Sequence, residues 1–136
     1  MRYWLIKSEP FKYSWNDLLR DKKTFWDGVR NHQARNNLKS MVLGDICLFY
    51  HSNEGLEIVG VAEVVKEWYP DPTSDGDQWV VVDVAPKKTL KHPVALKVVK
   101  NDARLQNIAL VRQGRLSVMP ITLDEFNVIM ELAGEK

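Results

Sequence analysis

The chain has 136 residues, 45% of them hydrophobic, and sets 19 Lys and Arg against 18 Asp and Glu, for a formal net charge of +1. That size suits a single domain, expected over 1–136, with enough apolar content for a core. The near-balance of charge excludes a protein that coats duplex nucleic acid by charge alone, which needs a strongly basic face.

In chain order, Tyr3–Lys7 reads as a buried strand, because it is short, apolar and rich in aromatic and branched residues, and Pro10 ends it. Ser14, with Asp17 three places on, predicts an N-cap and a short helix to about Asp21. Gly28 breaks the chain after Trp26, and a helix is expected from about Arg30 to Met41. Its apolar face is Ala34, Leu38 and Met41, while Asn31, Arg35 and Lys39 form a polar stripe at steps of four. Ile46–Ser52 alternates as a strand. Ile58–Trp68 follows as a long strand with a bulge expected at Gly60. Pro70–Asp77 reads as a polar loop, and Trp79–Ala85 as a strand buried on both faces. Pro93 is expected to open a helix to about Lys100, and Leu110-Val111 and Leu116–Met119 to form short strands. Thr122 and Glu125 make a capping box for a last helix with Phe126, Ile129 and Met130 on its apolar face. This order is α+β, a mixed curved sheet or small β-barrel flanked by helices.

The single cysteine, Cys47, excludes an internal disulfide and has no Cys or His nearby at zinc spacing, so no metal and no other cofactor is expected. No apolar run reaches the length of a membrane span and no leader-like segment opens the chain, so no membrane partner is expected. A reducing, cytoplasmic location is the expectation.

Three segments concentrate chemistry: Lys7-Ser8-Glu9-Pro10, the run Trp26 to Asn36, and Phe49-Tyr50-His51-Ser52-Asn53. Arginine and carboxamide side chains fit base edges and phosphates, and tryptophan is the best stacking platform for a flat ring. Together they point to a pocket for a nucleobase. Trp26 precedes a turn and a polar helix start, a position that suits stacking better than core packing. Asn31 either reads a base edge or caps the helix, as do Gln33 and Asn36. Ser8 can donate or accept at a base edge, and Glu9 can accept from an exocyclic amine. Lys7 and Val29 complete the expected lining. Arg30, Arg35, Arg112 and Arg115 are expected on the phosphate backbone, which gives affinity without sequence information. His51 and Ser52 are also assigned to the pocket. Adjacent strand residues face opposite ways, so the two are not expected to form a nucleophile and base, and no catalytic residue is assigned. For the same reason Trp68 and Tyr69 cannot both face one pocket. Trp4, Trp15 and Trp79 sit in apolar runs and are read as core.

The same segments, with Gly44-Asp45, Ile58–Val64, Tyr69-Pro70-Asp71, Trp79–Val84 and Leu110–Val118, resemble the EVE domain family, a relative of the PUA-like fold. The likeness runs through nearly the whole chain and keeps the motif order. It implies a PUA-like barrel with a base pocket, similar to YTH domains, which hold a methylated adenine of RNA in an aromatic cage. It places Lys7-Ser8 at the start of that pocket, Trp26 at a cage wall, and Trp68 or Tyr69 at the second wall. EVE domains are implicated in recognising modified bases, chiefly modified cytosine in DNA, and some occur in restriction-like systems. The resemblance therefore implies a non-catalytic reader, with nucleic acid as partner and an associated nuclease or other protein to act through. A reader of modified RNA, and a hydrolase or binder of a nucleotide-like small molecule, are the alternatives.

Overall fold

The computed structural model describes residues 1–135. Six strands form one sheet: β1 (Tyr3–Ser8), β2 (Thr24–Phe25), β3 (Ile46–His51), β4 (Glu57–Pro70), β5 (Val80–Ala95) and β6 (Val118–Ile121). Around it lie α1 (Trp15–Asp21), α2 (His32–Ser40), α3 (Leu96–Asn101), α4 (Ala109–Arg112) and α5 (Leu123–Leu132), with a 3-10 turn at Ala103–Leu105. The strand order is β2-β5-β4-β3-β1-β6, and the sheet is mixed: β1 runs parallel to β3, and the other neighbours are antiparallel. The α+β class is as expected, but the sheet stays open, with β2 and β6 as its edges.

Local chemistry explains most of these elements. Trp4, Leu5 and Ile6 are buried, and the Trp4 indole donates to Asp45 Oδ2 at 3.0 Å. Asp45 also accepts the Arg2 and Val42 backbone N–H groups, which fixes the entry of β1 beside the turn before β3. Both capping boxes form as read, Ser14 with Asp17 and Thr122 with Glu125. The bulge at Gly60 is present as a register shift on both of its partners. Its deeper cause is packing: a Cβ at Gly60 would overlap carbons of the Trp15 indole, so only glycine lets α1 lie this close to the sheet.

Several expectations need correction. The helix expected from Arg30 begins at His32, because Asn31 is its N-cap and accepts the Ala34 N–H at 2.9 Å. Pro93 does not open a helix. β5 continues through it to Ala95, because Pro93 falls in the irregular stretch between the Gly60↔Thr89 and Ile58↔Val94 pairs, where no ladder bond is lost. Leu110-Val111 is helical, since the Ile108 carbonyl collects the Val111 and Arg112 N–H groups. The last strand begins two residues later than expected, and Pro120 is tolerated there because β6 is an edge. The two-residue β2 was not foreseen. It pairs Thr24 with Val84 and Phe25 with Asp83.

Candidate nucleic-acid interface

A cavity of 510 Å3 opens where β1 ends, lined by Lys7, Ser8, Glu9, Lys12, Tyr13, Thr24, Phe25, Trp26, Asp27, Gly28, Val29 and Ser117. That volume lies in the range that takes a base-sized ligand. Each wall has an identifiable cause. The Trp26 N–H donates to the Val82 carbonyl at 2.8 Å, extending the β2 pairing by one residue and setting the indole at the cavity. The ring is only 7% exposed and meets Phe49 edge-on at 5.3 Å, with Trp15 on Phe49 at the same distance. Trp26 is thus both core and lining. Gly28 then turns the chain with φ 78°, a left-handed conformation that favours glycine.

Asp71, from the loop after β4, holds that turn in place. It is 1% exposed and accepts the Gly28 N–H at 3.1 Å, the Arg30 guanidinium at 3.1 Å, and the Thr73 N–H and hydroxyl at 2.7 and 2.6 Å. Burial alone would raise its pKa, but these bonds hold the carboxyl below its ordinary value. In the sequence Asp71 stands as an acid of the polar loop and as part of the Tyr69-Pro70-Asp71 segment, with no role in the site assigned to it.

The end of the first strand reaches the cavity. Lys7, Ser8 and Glu9 all line the cavity. The Ser8 hydroxyl donates to the Tyr13 carbonyl at 2.5 Å, which leaves its oxygen lone pairs as acceptors. Lys7 Nζ donates to the Gly114 carbonyl at 2.7 Å, and burial lowers its pKa. Tyr13, Phe25 and Lys12 were missed. Phe25, 40% exposed, directly precedes Trp26, and that aromatic pair was the available signal.

Other assigned residues lie outside this cavity. Neither Trp68 nor Tyr69 reaches the cavity. They sit at the C-terminal end of β4, where Lys39 Nζ lies 4.7 Å over the Trp68 ring and Lys66 Nζ 4.3 Å over Tyr69. The Tyr69 hydroxyl donates to Asp83 at 2.5 Å, and burial with that bond pushes its pKa up to about 12. The aromatic walls that the cavity does have are Tyr13, Phe25 and Trp26. His51 is also absent from it: its Nε2 accepts the Trp15 N–H at 3.0 Å, and burial lowers its pKa, so it serves as a neutral acceptor that anchors α1. Ser52 faces a second cavity of 310 Å3, which Lys7 and Gly114 border from the other side. Asn31 is spent as the α2 cap.

The four arginines scatter. Arg30 and Arg35 both lie 5.7 Å from the Trp79 ring, which His32 also stacks on at 5.1 Å. Trp79, read as core, is half-buried within this cluster just ahead of β5. Arg112 is turned onto the Gln106 carbonyl and Asn107, so it closes its own loop, while Arg115 is exposed. Among the described residues no group of His, Cys, Asp and Glu could hold a metal ion, and no helix is long and apolar enough to cross a membrane.

The open mixed sheet with its flanking helices is a fold shared with a known family. The EVE domain model matches residues 2–132, and the chain belongs to this family. It is 36% identical to human thymocyte nuclear protein 1 over 96% of this chain and 73% of the relative. A crystal structure from Agrobacterium tumefaciens superposes with TM-score 0.95 at 44% identity, covering 98% of this chain and 94% of that one. Human thymocyte nuclear protein 1 in complex with 5-methylcytosine containing DNA superposes with TM-score 0.91 at 35% identity, covering 100% and 99%. A YTH domain from Zygosaccharomyces rouxii shares the fold at 16% identity and TM-score 0.60, covering 97% and 86%. The expected cytoplasmic location does not stand against the curated relatives, which are named thymocyte nuclear protein 1. A single buried cysteine fits a reducing nucleus as well as a cytoplasm.

Proposed function

We propose that this protein is a non-catalytic reader of a modified base, with modified cytosine in DNA as its target. The observation that carries this reading is the 510 Å3 cavity, which joins Tyr13, Phe25 and Trp26 to the fixed polar groups of Lys7, Ser8 and Glu9. The human relative whose structure is bound to 5-methylcytosine containing DNA supports the choice of base. In this reading Trp26 offers the stacking face, Phe25 stays at the exposed margin of the cavity and Val29 packs on the base edge. The Ser8 oxygen accepts from the cytosine amine, and Lys7 donates to its ring acceptors. Arg30, Arg35 and Arg115 meet the phosphates, and the domain acts through an associated nuclease or other protein. Stacking contributes ~1–3 kcal/mol per base, which offsets much of the cost of drawing the base out of a duplex. One added methyl contributes only ~0.8 kcal/mol on burial, so discrimination from burial alone is about fourfold. The engagement of His51 Nε2 by the Trp15 N–H argues against a hydrolase built on His51 and Ser52.

The test is titration at fixed low salt with short oligonucleotides that differ at one base. The set is cytosine, 5-methylcytosine, 5-hydroxymethylcytosine and N6-methyladenine, each in DNA and in RNA, read by tryptophan fluorescence. Preference for a modified cytosine in DNA, lost in Trp26→Ala, is the expected result. Preference for a modified base in RNA moves the reading to that polymer. Weak, salt-sensitive binding to every oligonucleotide alike overturns it.

A further inference from the structure

The turn Glu9–Tyr13 stands on the rim of the cavity. Glu9, Lys12 and Tyr13 line the cavity, and Phe11 between them does not. Phe11 is 66% exposed. A single exposed aromatic is ordinary, but the bracing of this one is not. The Lys12 and Tyr13 N–H groups both donate to the Glu9 carbonyl at 2.9 Å. Pro10 occupies the second position of the turn, where its fixed φ suits the geometry. The Ser8 hydroxyl closes the loop onto the Tyr13 carbonyl. The Glu9 carboxylate takes Lys12 Nζ and Asn53 Nδ2, each at 3.2 Å. These bonds order the backbone on both sides of Phe11 while its ring stays in water. The ordering cost is met before any ligand arrives.

Drawing a base out of a duplex leaves a gap in the stack, and proteins that unstack DNA fill such gaps with apolar side chains. We propose that Phe11 is that wedge: it enters the gap left in the base stack as the target base enters the cavity beside it. The proposal rests on the base-reading function above and adds to it a duplex substrate. The flanking Lys12, itself exposed on a salt bridge to Glu9, lies where it meets the adjacent phosphates.

The test compares the wild type, Phe11→Ala and Phe11→Trp on a duplex carrying one 5-methylcytosine and on the same strand alone. Phe11→Ala weakens duplex binding about tenfold and single-strand binding less than about twofold, while Phe11→Trp keeps duplex affinity. The melting temperature stays unchanged, as an exposed site requires. Equal loss on both substrates, no loss on either, or a wild type that binds only the single strand overturns the wedge and leaves the base-reading function standing. A wild type that prefers no modified oligonucleotide overturns that function and the wedge with it.

Discussion

The cavity at the end of β1 and the outer end of β4 are both rich in aromatic rings and lysines, yet they differ in what their rings can still do. At the cavity, Tyr13, Phe25 and Trp26 share a hollow with Lys7, Ser8 and Glu9. At the end of β4, Trp68 and Tyr69 already carry lysine ammonium groups on their faces, and the Tyr69 hydroxyl is bound to Asp83. The first region offers ring surface inside a concave site. The second has lysines already seated over its rings, on a surface outside that cavity. Aromatic composition alone therefore does not make a cavity; a turn that hollows the surface does, and here that turn is Trp26–Val29 held by Asp71.

The contrast is broken most severely at Trp26. Trp26→Ala abolishes modified-base binding and also costs about 3–5 kcal/mol of stability, because it empties a buried site against Phe49. Chemical denaturation measures the second effect, and Trp26→Phe separates it from the first. Asp71→Asn follows, with a loss of about 2 kcal/mol, since one neutral oxygen cannot serve the four donors that Asp71 holds. Oligonucleotide titration of that variant under folding conditions should show weakened binding, because the Gly28 turn loosens.

A pH series sharpens the same point. Burial alone would raise the pKa of Asp45 and of Asp71, but hydrogen bonds hold both below the ordinary carboxylate value. The stability they contribute is complete above the unfolded value of about 3.9 and is lost as pH falls through the lower folded values. Thermal melts taken from neutral pH downward should show that loss, and Asp71→Asn should lessen it. The smallest effect is at Trp68. Trp68→Ala costs less than about 1 kcal/mol and leaves base binding unchanged, because the ring is 44% exposed and loses only its pairing with Lys39. A binding loss equal to that of Trp26→Ala would erase the distinction between the two regions.

Much of this was legible in the residues. The strand and cap signals carry their own physics, so β1, α1 and α5 stand where Tyr3–Lys7, Ser14 and Thr122 put them. One side of the cavity was legible too, since Lys7, Ser8, Glu9, Trp26 and Val29 all line it. The other side was not. Whether Tyr13 and Phe25 face a hollow depends on β2 pairing with β5, whose Thr24↔Val84 register joins segments sixty residues apart. No local pattern encodes that. Asn31 misled for a related reason: a carboxamide at a helix start suits a cap as well as a base, and the local bond to Ala34 wins. Trp68 and Tyr69 misled because strand alternation separates their faces without saying whether either face meets the cavity.

The contacts of Lys7 tie the two ends of the chain together. Its Nζ meets the Gly114 carbonyl 107 residues along the chain, and its N–H meets the carbonyl of Ser117, which itself forms part of the wall. A chain emerging from synthesis holds the aromatic side of the cavity long before it holds this one, and closing so wide a loop is slow. Ligand capture during refolding should therefore appear after the aromatic cluster around Phe49 has formed, as one of the last events to complete.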